Sequence, residues 1–290
     1  MSSILIRPYR GPNDDDVLRA MPQPEGRARP PRPDGLGWVA EMGGTVAGFG
    51  RIDHWDEADG TRLYLLTGCV DPAFQGQGIG RTLLAHQEEE AAAHWHAHPG
   101  TGPALLGGNA GPNQPVRTAL LLAAGYRARF TLVDLARDPA GAADAALPPG
   151  LTLRPVHEND HPHIYEALRI CFADAGHGQE IQTYADYLDD VRDVDLWLVA
   201  WAGDEVAAVI INERRKDGSV DTPWVAVLPA WRRRGVARAM LQASLRRLAE
   251  HGVKRATIRT VQENTNQTVT LYEEAGYRVF ARHPRYAKPL

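Results

Sequence analysis

Val225-Ala226-Val227-Leu228-Pro229-Ala230-Trp231-Arg232-Arg233-Arg234-Gly235-Val236-Ala237 is the stretch from which the fold can be read. An apolar, β-rich run is stopped by Pro229, and Met240, Leu241, Leu245 and Leu248 then recur at helical spacing as far as His251-Gly252. Between strand and helix lies a tight loop, in which Gly235 and Ala237 are small enough to let the backbone come close to a ligand. The first N–H groups of a helix have no intrahelical partner, and with the helix dipole they form an anion site suited to a pyrophosphate. Arg232, Arg233 and Arg234 stand at that loop, in place for phosphate contact.

The same arrangement occurs earlier, as Val70-Asp71-Pro72-Ala73-Phe74-Gln75-Gly76-Gln77-Gly78-Ile79-Gly80. Other segments recur with it. Ile4-Leu5-Ile6-Arg7-Pro8 matches Leu151-Thr152-Leu153-Arg154-Pro155, Gly44-Thr45-Val46-Ala47 matches Asp204-Glu205-Val206-Ala207, and Ala124-Gly125-Tyr126 matches Ala275-Gly276-Tyr277. A solenoid would show a shorter, constant period, so the chain reads as a duplicated domain. The copies span 1–137 and 151–290, and the small, Pro/Gly-punctuated segment 138–150 reads as a linker. The 290 residues suit two domains.

In the second copy, Leu151–Val156 is expected as a strand and Asp160 as the N-cap of a helix to about Ala173. A short helix over Thr183–Val191 follows. Leu196–Ala202 and Val206–Asn212 form a hairpin about Gly203-Asp204. A strand over Trp224–Leu228 precedes the loop, and beyond it come a strand over Ala256–Val261, a helix over Thr268–Ala275 and a last strand over Tyr277–Ala281. The order implies an α/β fold with a mixed sheet and helices packed on it. Where the second copy has helical periodicity, over roughly 160–192, the first has the proline-rich Pro22–Gly35.

Composition narrows the function. Hydrophobic residues at 43% and charged residues at 23% exclude a disordered chain or a coiled coil, and no apolar run approaches a membrane span. A net charge of −4 argues against nucleic acid as a partner. The first copy carries the deficit (13 Lys and Arg against 17 Asp and Glu up to residue 145), so an anionic ligand must be held by local geometry. Cys69 and Cys171 cannot make a disulfide framework, and the N-terminus lacks a signal region; a cytoplasmic protein is expected.

The strand, Val-x-Pro turn, Gly-punctuated loop and helix, followed by an Asn-bearing strand end and Leu271-Tyr272-Glu273-Glu274-Ala275-Gly276-Tyr277, resemble the GNAT superfamily of acyl-CoA-dependent N-acetyltransferases. The resemblance covers nearly the whole chain as two tandem domains, and from Trp224 to Tyr286 it is similar to the mycothiol synthase group. It implies acetyl-CoA as co-substrate, with no metal. Pantetheine would lie as an extra strand against Val225, Ala226 and Val227, and the pyrophosphate on the N–H groups from Arg233 to Ala237. Asn264 and Asn266 would position CoA or substrate. In the first copy, Val70, Gln75, Gly76, Gln77, Gly78, Ile79 and Gly80 occupy the corresponding places.

The resemblance also implies an acid and a base. Tyr272 stands where relatives carry the tyrosine that protonates the departing thiolate, and the Gly-Tyr anchors place Leu121 there in the first copy. The base position, eight residues before the strand-ending proline, holds Asp221 in the second copy and Tyr64 in the first; Glu213 is the runner-up. The first copy therefore reads as catalytically silent. Acetyl transfer to a primary amine of a small molecule in the second domain is the expected activity, by a monomer. A protein amine as acceptor, or a non-catalytic acyl-CoA-binding or sensing protein, is the alternative.

Several other residues have plainer readings. His94 and His98 have metal-ligand spacing but no completing ligand, and read as a solvated helix end. His161 and His163 read as surface residues, Glu88–Glu90 as a solvated helix face, and Tyr184, Tyr187 and Trp197 as core or pocket lining. The division of labour is testable. Gly235→Glu should abolish turnover by blocking backbone approach and repelling the pyrophosphate, whereas Gly78→Glu should remove CoA binding by the first copy, if any exists, and leave most of the activity. Acetyl transfer and CoA stoichiometry, measured side by side, check this; loss of turnover in the Gly78 variant alone would reverse the assignment.

Overall fold

A computed structural model of the protein describes residues 3–21, 36–173, 183–264 and 266–290; the Pro22–Gly35 stretch lies outside them. In chain order the elements are β1 (Ile4–Pro8), α1 (Pro12–Ala20), β2 (Leu36–Met42), β3 (Thr45–Asp56), β4 (Arg62–Val70), α2 (Ile79–Ala97), β5 (Ala104–Asn109), α3 (Pro115–Ala123) and β6 (Arg127–Arg137). They continue with β7 (Thr152–Leu153), α4 (His161–Phe172), α5 (Tyr184–Asp189), β8 (Leu198–Ala202), β9 (Glu205–Arg214), β10 (Val220–Val227), α6 (Val236–Glu250), β11 (Ala256–Val261), α7 (Thr268–Glu274) and β12 (Arg278–Pro289).

The chain divides into two units, one of Met1–Thr131 with His283–Leu290 and one of Leu132–Arg282. In the first unit, strands follow the order β1-β2-β3-β4-β5, with β4 and β5 parallel, and residues Arg285–Pro289 of β12 close the far side of β5. In the second, the order is β7-β8-β9-β10-β11, with β10 and β11 parallel, and residues Leu132–Arg137 of β6 close the far side of β11. The folded units thus differ from the sequence copies, because the last strand of each copy completes the other unit. Burial explains the exchange: Val133 and Leu135 belong to the second unit's core and Tyr286 to the first's. Lys288 secures the end of β12, donating to Glu88 at 2.8 Å and to the Ala124 carbonyl at 3.0 Å. Glu88, which also accepts from the Tyr126 hydroxyl, is therefore an anchored side chain rather than a solvated one.

Each sheet is covered on both faces. In the first unit α2 packs over Ile52, Tyr64, Leu66 and Leu106, while Leu18 of α1 meets Val39 and Phe49 on the other face. In the second, α6 and α7 cover Ile210 and Ile258, and α4 and α5 cover Val209, Ile211 and Ala226. The hairpins close on two residues, Gly43-Gly44 and Gly203-Asp204, with glycines at positive φ as such short turns require. The segment 138–150 holds no helix or strand, yet Ala142 and Leu147 pack on the second unit's core and Gln242 accepts from the Ala143 N–H at 2.9 Å.

Several boundaries depart from the sequence reading: β8 begins at Leu198 rather than Leu196, β10 at Val220 rather than Trp224, and β12 runs on to Pro289 rather than Ala281. The strand at 151–156 shrinks to Thr152–Leu153, because Arg154 turns to stack on Trp201 at 3.8 Å and to clasp Asp160 through two bonds of 2.7 and 2.8 Å. Asp160 stands at the N-cap position of α4 as expected, but its side chain makes no capping bond there; it accepts from the His157 N–H and closes a 3-10 turn ahead of the helix. Arg7 and Asp14 repeat the clasp in the first unit, and in each pair the guanidinium holds the carboxyl below the usual carboxylate range. Among the described residues no helix is long and apolar enough to cross a membrane.

The strand exchange makes a prediction. Tyr286→Ala, although in the second sequence copy, should destabilise the first unit by about 3 kcal/mol, the typical cost of truncating a buried aromatic. Native-state hydrogen exchange reads this as faster exchange of β4 and β5 amides. Loosening of α6 and β11 instead would show that Tyr286 stabilises the second unit.

Candidate functional site

Antiparallel β9 and β10 lose register between Asp221 and Trp224, so Thr222 and Pro223 together oppose Asn212. Proline has no N–H to give a ladder and is at home in such a bulge. Parallel pairing with β11 covers only Val220–Ala256 and Asp221–Thr257, although β10 runs on to Val227 and β11 to Val261. The strands part, and Val225, Ala226 and Val227 keep β9 on one side while their other edge faces the gap.

A buried polar network, which periodicity does not reveal, pins the bulge. Asn212 has no exposed surface; it accepts from the Thr222 hydroxyl at 2.8 Å and donates to the Leu196 carbonyl and the Ser244 hydroxyl at 2.8 and 2.9 Å. The Tyr277 phenol reaches Thr222 from β12's side, and burial pushes it up from its ordinary value. The extra residue also re-aims Asp221. Paired directly with Glu213, it shares the face of Ile211 and Trp224, the face covered by α4 and α5.

Beyond Val227 the chain makes a 3-10 turn (Pro229–Trp231), then two left-handed residues, Arg233 (φ 58°) and Gly235 (φ 77°), and enters α6. The first intrahelical bond runs from the Ala239 N–H to the Gly235 carbonyl, leaving the N–H groups of Val236, Ala237 and Arg238 aimed outward. Arg233 and Arg234 are exposed, and Arg234 lies over the Trp231 ring at 5.2 Å. Arg232 is partly committed, its Nε donating to the Val227 carbonyl at 2.9 Å. The first unit's loop has the same backbone, with Gly76 (φ 76°) and Gly78 (φ 88°) at the left-handed positions ahead of Ile79 and Gly80, but Gln75 and Gln77 replace arginines. A side chain at Gly235 or Gly78 strains the turn by roughly 1–2 kcal/mol.

Tyr272 is 5% exposed, packed in the core under α6 with its ring centroid 6.2 Å from that of Tyr277. Burial pushes its phenol up from its ordinary value. Leu121 is its counterpart: the N–H of Tyr126 bonds to the Leu121 carbonyl as that of Tyr277 does to Tyr272. The carboxylates are engaged. Asp221 accepts from Thr257 at 2.7 Å and from Arg215, and Glu213 pairs with Arg192 at 2.9 Å. Asn264 accepts from the Asn266 N–H at 2.7 Å within the turn leaving β11.

Register also corrects one correspondence. Without a bulge in β3–β4, the pair matching Asp221–Glu213 is Leu65–Asp53, and Tyr64 lies one residue away on the α2 face. There its hydroxyl bonds His94 Nδ1 at 2.9 Å, and His94 stacks between His54 and His98 at 4.6 and 4.7 Å, so it is a packed rather than a solvated histidine. His161 is likewise buried, sharing a 2.8 Å hydrogen bond with Tyr187. Tyr187 and Trp197 belong to the core under α4 and α5, while Phe172 meets Trp224 edge to face at 4.9 Å. Among the described residues no group of three or more His, Cys, Asp or Glu is arranged to hold a metal ion.

Comparison with known proteins agrees with this geometry. Residues 2–99 match the Acetyltransferase (GNAT) family and residues 193–279 the Acetyltransferase (GNAT) domain. The chain is 30% identical over 262 residues to the mycothiol acetyltransferase of Kineococcus radiotolerans, covering 86% of this chain and 80% of that one. To that of Corynebacterium efficiens it is 26% identical over 254 residues, covering 84% and 80%. In fold it is similar to a GCN5-related N-acetyltransferase from Sphaerobacter thermophilus (TM-score 0.69, 20% identity, 99% and 95% coverage). It is also similar to a tandem GNAT protein from the clavulanic acid biosynthesis pathway (TM-score 0.64, 16% identity, 99% and 98% coverage).

Asn212→Ala leaves Thr222, Ser244 and the Leu196 carbonyl without their partner in a buried place. Each orphaned group costs about 1–3 kcal/mol, so the second unit should lose roughly 2–4 kcal/mol in denaturant unfolding. A loss under about 1 kcal/mol would show that the bulge holds without the network.

Proposed function

The chain belongs to the GNAT family of acetyltransferases, and we propose that its second unit transfers an acetyl group from acetyl-CoA to a primary amine of a small molecule. The observation that carries this reading is the edge of β10 at Val225–Val227, which leaves β11 after Asp221, receives Arg232 at the Val227 carbonyl and runs into an arginine-bearing helix N-terminus. A pantetheine chain laid along that edge exchanges main-chain hydrogen bonds with β10 and delivers the pyrophosphate to the N–H groups from Arg233 to Ala237. The guanidinium groups of Arg233 and Arg234 supply positive charge there. The acceptor enters on the α4–α5 face, where Asp221, Glu213 and Trp224 lie.

In the proposed reaction the neutral amine nitrogen attacks the thioester carbonyl carbon, the C–S bond breaks, and the nitrogen loses a proton. Tyr272 gives the departing thiolate its proton, as a phenol, protonated at neutral pH, can. Asp221 takes the amine proton through water, with Glu213 beside it as runner-up. The names of the relatives support a small-molecule acceptor of the mycothiol type over a protein amine. The ion pairs that hold Asp221 and Glu213 favour one second reading, an acyl-CoA-binding protein that does not turn over.

Release of free thiol from acetyl-CoA over a panel of amines separates the two. With an active amine, Tyr272→Phe should lower kcat by roughly 10²-fold at unchanged acetyl-CoA affinity. Asp221→Asn should lower kcat/KM by about 10²-fold and flatten its acidic limb. If Glu213→Gln shows that behaviour instead, Glu213 is the base. Thiol release no faster than buffer with every amine, despite saturable binding, would leave the binding protein.

A further inference from the structure

The first unit holds the same loop and the same parting of parallel strands, but its gap is filled from within. Pairing of β4 with β5 ends at Leu65–Gly107, and both strands run on, to Val70 and Asn109. Arg117, in the first turn of α3, reaches into the space beyond. Its Nη2 donates to the Leu66 carbonyl at 2.9 Å, its Nη1 to the Gly68 carbonyl at 3.3 Å, and its Nε to the Asn109 carbonyl on the other strand. Carbonyls two residues apart on a strand point the same way, so one planar guanidinium caps the row of β4 acceptors facing the gap and ties both strands together.

By register Gly68 matches Val225, since each stands two residues before the Val that leads into its loop. The counterpart of Arg117 in the second unit, counted from the Gly-Tyr anchors, is Thr268. It is too short to cross the gap, and its hydroxyl pairs with Thr260 at 2.8 Å. The first gap is therefore crossed by a guanidinium at the place where the second has Thr268. A ligand amide entering the first must displace three hydrogen bonds from a cation, which are stronger than those between neutral groups.

We propose that Arg117 is a built-in occupant of the first unit's groove, and that this unit takes no acyl-CoA until that side chain is removed. The proposal rests on the reading of the second-unit edge as a pantetheine site. The left-handed Gly76 and Gly78 keep the phosphate loop formed, so removing Arg117 exposes a latent site for a pantetheine thioester rather than creating one.

Calorimetric titration with coenzyme A tests this. The wild-type protein should bind one equivalent, and Arg117→Met, which keeps the aliphatic stem and removes the donors, should bind two. Arg117→Thr, copying Thr268, repeats the test should the Met variant fail to fold. In a Gly235→Glu background, which silences the second unit, Arg117→Met should restore one site, and a further Gly78→Glu should remove it. Two equivalents on the wild-type protein, or a wild-type site that Gly78→Glu removes, overturns the proposal. So does a folded Arg117 variant with no added site. Wild-type protein with no site at all, beside an Arg117 variant with one, overturns the second-unit reading and leaves this one standing.

Discussion

A single extra residue in β10 sets the facing of the second unit's candidate site. Thr222 and Pro223 together oppose Asn212, and that offset turns Asp221 towards α4 and α5. The parting of the parallel strands is common to both units, after Asp221–Thr257 and after Leu65–Gly107, so it does not come from the bulge. Because Asn212 is buried and fully bonded, the distortion is a held feature of the core.

The duplicated copies meet the same requirement differently. In the first unit the β3–β4 ladder runs without a shift from Gly48–Val70 to Asp56–Arg62, and pairing with β5 lasts twice as long as its counterpart, four residue pairs against two. Gln87 stands at the place of Ser244 and donates to the Arg51 and Thr67 carbonyls at 2.8 Å, filling the space that Gly50 and Gly68 leave. One copy keeps its strands regular and seals the opening with side chains. The other bends a strand and keeps it open.

Much of this was legible in the sequence, and what was not has a common cause. The loop at 225–237, the hairpin glycines and the helices of the second copy are local patterns, and they appear where periodicity and turn chemistry place them. The boundaries of β11 and the start of α6 agree to the residue. The bulge is a matter of register between strands, and counting back from a proline cannot see it; hence Tyr64 rather than Leu65 emerged as the counterpart of Asp221. Arg117, His161 and Glu88 are polar residues whose partners lie across the fold, and composition assigns such residues to the surface by default. Asp160 sits where a helix cap belongs, and its bond to Arg154 takes it elsewhere.

The crossing of the last strands bears on how such a chain came to exist. Each sequence copy, taken alone, ends in a strand whose hydrogen-bonding partners belong to the other copy. A gene with one copy would encode a five-stranded sheet with a sixth position vacant and a terminal strand to lend, and two such molecules complete each other by exchange. Joining the genes end to end turns that loan into a permanent fixture. From then on either half can change its groove, but neither can be discarded, because each supplies a strand that the other's sheet pairs with.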